Sequence, residues 1–167
     1  YVVFHHNNCK VLDVDREVML QTADENLREL TALSEAEGIP VAVENVGIKS
    51  MGNVLMNQEQ FIAECRKLPN PVLIDIGHAH ANGWDLRQVM EALQDKIISY
   101  HVHNNDGVHD CHQRIYNGTL DFNAFLYDVR ELTPEADLVL EYAPDVAADQ
   151  AGILKDVKTL CQFRETV

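Results

Sequence analysis

The chain has 167 residues, with 27 acidic side chains against 13 basic ones and a formal net charge of −14. At 46% hydrophobic and 24% charged it is a single domain's worth of chain, able to bury a core and unlike a disordered polypeptide. The charge argues against nucleic acid as the main partner, because phosphate backbones call for a basic face, and no apolar run approaches the roughly 18 residues of a membrane span.

Short β-rich runs alternate with stretches of helical periodicity. Val2–His5 is the first strand; it follows Tyr1 directly, without an initiator Met, as expected of a processed chain or a piece of a longer one. A helix is expected from about Asp15 to Glu37, with Leu20, Leu27, Leu30 and Leu33 at helical spacing and Gly38 at the C-terminal cap position. Val41–Glu44 is the second strand. Asn57 with Gln60 reads as a capping box ahead of Phe61, Ile62, Cys65 and Leu68, and Pro69 ends that helix. Val72–Asp75 is the third strand. Asp85 with Gln88 opens a helix carrying Leu86, Val89, Met90 and Leu93, before a fourth strand at Ile97–His103. Asp121 precedes a helix with Phe122, Phe125, Leu126 and Val129, and Leu138–Glu141 is the fifth strand. The last helix, about Ala148 to Arg164, shows Ile153, Leu154, Val157, Leu160 and Cys161.

Cys9, Cys65, Cys111 and Cys161 form no C-x-x-C pair, which argues against a disulfide scaffold or a cysteine-rich zinc site. Cys65 and Cys161 fall on apolar helix faces and are expected in the core.

Alternation of strand and helix means βα units and a parallel sheet. The strands are apolar on both faces, as in a barrel or a doubly wound sheet, and no Gly-rich phosphate loop follows the first strand. Consecutive strands end in ionisable groups: Glu44, Asp75 with His78 three residues on, His103 and Glu141, while the first run ends in His5-His6. A single strand-end carboxylate is most simply a solvated one. Four strands in a row ending this way are harder to explain so, since an unpaired carboxylate at a buried strand end is costly. The residues are 31, 28 and 38 positions apart, close to one βα unit each, so a parallel barrel would bring them to one rim. Three carboxylates and an imidazole suit Mn²⁺, Mg²⁺, Co²⁺ or Zn²⁺. A second cluster, His109, Asp110, Cys111 and His112, puts Asp110 and His112 on one side of an extended segment; a polar surface loop explains it equally well. Cys111 points the other way.

With these residues assembled, the chain resembles the xylose isomerase-like TIM-barrel superfamily, which holds sugar phosphate isomerases and epimerases, ketose 3-epimerases, related dehydratases and endonuclease IV. The similarity covers essentially the whole chain. Val43-Glu44-Asn45 is similar to the family's EN strand, Asp75-Ile76-Gly77-His78 to its D-x-x-H, and His103-Asn104-Asn105-Asp106 to H-x-N-D. Asp110-Cys111-His112 followed by Gly118-Thr119-Leu120-Asp121-Phe122 is similar to D-x-H and G-T-I-D-F, and Leu140-Glu141 to the final Glu strand. Two positions depart from the pattern. His109 stands where the ketose 3-epimerases carry Arg, which sets the chain apart from them. Tyr116-Asn117-Gly118 stands in place of G-E-G.

The resemblance implies that Glu44, Asp75, His103 and Glu141 hold one catalytic divalent ion. It implies that His78 contacts substrate in an epimerase. In a trinuclear endonuclease arrangement His78, Asp110 and His112 would hold a further zinc and His5 another. The leading reading is a metal-dependent sugar or sugar-phosphate isomerase or epimerase. Glu44 and Glu141 would move a proton α to a carbonyl through an enediolate. Trp84 either covers the apolar face of the substrate or packs the rim. The alternatives are an endonuclease IV-like zinc phosphodiesterase acting on abasic DNA, or a metal-binding barrel fragment without turnover. A cytoplasmic location in carbohydrate metabolism, with a homo-oligomer as a candidate assembly, is expected.

A complete barrel needs about 250 residues and eight strands. The five units here, spanning residues 1–167 as one domain, are therefore expected to be strands four to eight of a (β/α)8 barrel, with the N-terminal strands missing and two sheet edges exposed.

Overall fold

The structure, a computed structural model, describes residues 1–165. Five strands form one parallel sheet in chain order: β1 (Val2–His5), β2 (Val41–Glu44), β3 (Val72–Asp75), β4 (Ile97–Val102) and β5 (Asp137–Leu140). The α-helices among the described residues are α1 (Arg16–Ala36), α2 (Gln58–Lys67), α3 (Ile76–Ala81), α4 (Leu86–Leu93), α5 (Phe122–Leu132) and α6 (Gln150–Arg164). Each strand pairs with the next in sequence, the winding of a parallel barrel, and the sheet is open, so β1 and β5 pair on one side only. No described helix is long and apolar enough to cross a membrane.

Alternation along the strands sorts the side chains into two layers. Val41, Val43, Val72, Ile74, Tyr100 and Val102 join the core against the helices, with Leu27, Phe61, Met90, Leu93, Phe125 and Val129. The intervening residues, among them Glu44, Asp75 and His101, face the opposite side, which is the interior of the barrel curve. The central strands β2 and β3 are buried throughout, whereas the edge strands β1 and β5 expose part of their length.

The helix starts match their sequence signals. Asn57 and Gln60 make the reciprocal capping box, Asp85 accepts from Gln88 N–H, and Asp121 accepts from the N–H groups of Asn123 and Ala124. Gly38 adopts the left-handed conformation that ends α1, with φ 68°.

Some expectations are corrected. β4 and β5 end at Val102 and Leu140, so His103 and Glu141 follow their strands by one residue. The segment after β3 is helical: Asp75 caps α3 by accepting from His78 N–H at 2.7 Å. Leu33, Leu154 and Val157 are exposed. Cys65 is in the core as expected, but Cys161 is exposed. The reason is the face that α6 buries: Gly152, Asp156, Leu160 and Phe163, a stripe rotated from the one its apolar residues suggest because it accommodates a paired carboxylate.

Candidate active site

Parallel winding brings the C-terminal ends of all five strands to one rim, and the ionisable residues meet there. Their backbones are pinned by asparagines. Asn45 Nδ2 donates to Asp75 O at 2.9 Å and its Oδ1 accepts from Asp75 N–H at 2.7 Å, tying the end of β2 to the end of β3. Asn105 Nδ2 donates to Gly77 O at 2.8 Å, tying the segment after β4 to α3. Asn104 Nδ2 donates to Ile115 O and Leu120 O, closing the long loop between β4 and α5.

Glu44 is buried between two imidazoles. Its Oε2 lies 2.9 Å from His5 Nε2 and its Oε1 lies 3.3 Å from His101 Nδ1. The same His101 nitrogen lies 3.2 Å from Glu141 Oε2. His103 Nε2 lies 3.0 Å from Asp75, and both residues are fully enclosed. The His103 ring stacks on His112, centroids 3.8 Å apart. Asp110 Oδ2 lies 3.1 Å from His112 Nε2 and 3.3 Å from His78 Nε2. His5, Glu44, Asp75, His78, His103, Asp110, His112 and Glu141 thus belong to one continuous cluster. Glu141 is its most open carboxylate, with 45% of the side chain exposed. The Trp84 ring packs on Phe61, centroids 5.6 Å apart, and lines a small cavity together with Glu44 and Asn45.

The cluster is electrostatically coupled. Burial would raise the Glu44 carboxyl, but hydrogen bonds from His101 and His5 outweigh it and bring it down to about 2. Burial opposes protonation of His101, yet Glu141 and Glu44 push it up to about 10. His78 rises to about 9 against its burial, through Asp75 and Asp110, and His112 rises to about 9 through its hydrogen bond with Asp110. Asp110 is lowered despite burial by His112 and His78, and Glu141 is lowered by His101. Without a cation these carboxylates are therefore neutralised by imidazolium.

Several donor sets have metal-binding spacing, with one ligand atom from each residue within 4.8 Å of the others: Glu44, Asp75 and His101; Asp75, His103 and Glu141; and His78, His103, Asp110 and His112. The four residues expected to share one ion fall into the first two sets, joined through Asp75. Three observations fit a cation. His103 Nδ1 and Asp110 Oδ1 are buried without a hydrogen-bond partner among the described residues. His78 donates Nδ1–H to Asn45 O at 3.0 Å and His112 donates Nδ1–H to Glu141 O at 2.9 Å. In both rings Nε2 faces Asp110 and carries the second proton in the metal-free chain; loss of that proton would leave an imidazole anchored through Nδ1 with Nε2 free for a cation, the support typical of a metal-ligating histidine. Gly77 has no room for a Cβ, which would lie 2.0 Å from the His103 ring, so the ring rests on bare backbone.

Residues 1–162 match the family model of the xylose isomerase-like TIM barrel. The chain belongs to this family. Two uncharacterized proteins of Methanocaldococcus jannaschii are 28% identical over 78% of this chain and 26% identical over 69% of it. The chain spans 50% and 41% of their lengths. Among solved structures, a D-tagatose 3-epimerase-like protein superposes with a TM-score of 0.77 at 22% identity, covering 99% of this chain and 62% of that one. The 3-keto-D-glucoside 4-epimerase of E. coli superposes at 0.61 and 21% identity, covering 90% of this chain and 56% of its own. These likenesses show the fold: a five-stranded parallel part of a xylose isomerase-like barrel.

Within that barrel, His101 is the site residue that sequence reasoning passed over. It lies inside β4, two residues before His103, and therefore faces the same side. That period of two was the available signal.

Proposed function

We propose that this chain carries the working rim of a divalent-metal-dependent sugar or sugar-phosphate isomerase or epimerase. The observation that carries the reading is the meeting of Glu44, Asp75, His103 and Glu141 at one end of the sheet in a chain of this family. The epimerase names of two structural neighbours support a small sugar as substrate.

Glu44, Asp75, His103 and Glu141 would hold one Mn, Mg, Co or Zn ion, which when bound polarises a substrate carbonyl and its neighbouring hydroxyl. Glu44 and Glu141 carry the proton. One removes it from the carbon α to the carbonyl, leaving an enediolate, and the other returns it. Glu141, the more open of the two, meets substrate first. His101 lies between them and sets their separation, and His78 contacts a substrate hydroxyl.

The test is metal content followed by turnover. One ion per chain is expected, together with exchange of a substrate C–H for deuterium in D2O, followed by NMR over a panel of ketoses, ketose phosphates and keto-glycosides. Glu141→Gln and Glu44→Gln abolish exchange; persistent exchange in Glu141→Gln overturns the assignment.

A second reading is a zinc phosphodiesterase, favoured by the Nδ1-anchored pair His78 and His112 around Asp110, with His5 on Glu44. Near three zincs per chain and efficient cleavage of an abasic oligonucleotide would establish it over the first. Stoichiometric metal with neither activity would instead favour a metal-binding barrel fragment.

A further inference from the structure

The segment that carries Asp110 and His112 is irregular, and its anchorage is out of proportion to its length. Arg114, two residues after His112, makes a bidentate ion pair with Asp156 of α6: Nε to Oδ2 at 2.7 Å and Nη2 to Oδ1 at 2.8 Å. Asp156 is 1% exposed, so this partner stands where water would otherwise solvate its carboxylate. Tyr142, next to Glu141, donates its hydroxyl to the same carboxylate at 2.9 Å and accepts from Ile115 N–H at 3.3 Å. The Arg114 Nη1 reaches Asp149 at 2.7 Å, the residue that caps α6 through Gly152 N–H. A Cβ at Gly152 would lie 1.9 Å from that nitrogen, so a side chain there would displace the Arg114 guanidinium. Between these anchors His112 holds a left-handed backbone, φ 42°, the sole non-glycine with positive φ among the described residues. Its carbonyl accepts from Ala143 N–H at 3.0 Å.

We infer that Arg114 and Asp156 are a positioning pair: Asp156 on the outer helix α6 holds Arg114 of the loop and so clamps the Asp110–His112 segment against the end of β5, so that these two donors face His78 and His103. This rests on the reading of Asp110 and His112 as cation donors. A strained His112 backbone and a buried carboxylate are both unfavourable alone, and they persist because one guanidinium satisfies the second while fixing the first. Neither residue belongs to a donor set among the described residues.

The experiment compares Asp156→Asn, Arg114→Lys and Tyr142→Phe with the unmodified chain. Amide hydrogen exchange and Co²⁺ titration are both followed, and Tyr142→Phe serves as the mild variant should Asp156→Asn not fold. Selective acceleration of exchange in residues 109–118, with Co²⁺ affinity reduced about 10- to 100-fold, is the expected result. Arg114→Lys, which keeps the charge but not the fork, should recover only part of the affinity. Unchanged exchange in 109–118, or faster exchange with unchanged Co²⁺ affinity, overturns the positioning role. His112→Ala separates the two ideas: if it leaves Co²⁺ binding intact, the donor reading itself fails, whatever the clamp does.

Discussion

His101 and Glu141 are joined across the β4–β5 boundary, Nδ1 to Oε2 at 3.2 Å, and the same nitrogen reaches Glu44 Oε1 at 3.3 Å. One imidazole thus sits between the two carboxylates proposed to move the proton. Replacing it with Phe leaves a buried Glu44 facing Glu141 without a donor between them. His101→Phe is expected to lose about 10- to 100-fold in metal affinity, as deletion of an outer partner commonly does. His101→Asn, which keeps an N–H near the Nδ1 position, should lose less. Isothermal titration with Mn²⁺ distinguishes the two, and equal, undiminished affinities would remove His101 from the site.

The raised imidazoles tie metal binding to pH. His78 and His112 at about 9, and His101 at about 10, all stand above the unfolded value of about 6.5. In the metal-free chain the stability they contribute is therefore fully present below about pH 6.5. It is lost as pH rises through about 9 to 10. A cation competes with these protons, because it takes up the carboxylates that hold the imidazolium groups and repels their charge. Metal binding at pH 7 should release protons, and apparent affinity should rise between pH 7 and 9. Titration in two buffers of different ionisation enthalpy measures the release, and a value of zero would contradict the arrangement of charges described above. Thermal unfolding in EDTA should show a falling midpoint between pH 8 and 10.

The strands and the caps were legible because their signals are local. Val72–Asp75 is a short apolar run closed by a carboxylate, and Asn57 with Gln60 is a three-residue pattern that needs no tertiary context. The convergence of Glu44, Asp75, His103 and Glu141 was legible from one-unit spacing. What escaped depends on partners distant in sequence. The six residues of α3 are too few for helical periodicity, and Asp75, read as a ligand, is also the cap. The buried face of α6 was misplaced because Asp156 looks solvent-facing until Arg114, 42 residues away, is seen beside it. Asn45 and Asn105 stand in the EN and H-x-N-D segments, but those segments do not name their partners, since an amide bonded to backbone 30 or 28 residues away is set by register.

Thiol chemistry tests the corrected position of Cys161. Cys65 is enclosed and burial pushes its thiol up to about 12, whereas Cys9 and Cys161 are exposed. At pH 8 only about one Cys65 in ten thousand is thiolate, and reagent cannot reach it. Ellman's reagent should modify Cys9 and Cys161 rapidly in the native chain and Cys65 only on unfolding. Cys161 lines a groove with Leu138, Leu140, Val157 and Leu160 beside the free edge of β5. Slow labelling of Cys161 would mean that this apolar face is covered in solution.

Gly77 offers the sharpest separation of site from fold. Its missing Cβ makes room for the His103 ring, which is held on its other side by the stack with His112 and cannot slide away. Ala at this position must move the ring, and with it the contact to Asp75. The overpacking is expected to lower stability by about 1–3 kcal/mol, while metal binding falls far more than that loss explains. Gly38→Ala supplies the control. It has open space around it but a φ of 68°, so it should cost about 1–2 kcal/mol in backbone strain and leave metal binding unchanged. Chemical denaturation gives the two stabilities and Mn²⁺ titration the two affinities. Should Gly77→Ala bind Mn²⁺ like the parent chain, the placement of His103 over this glycine has no part in holding the cation.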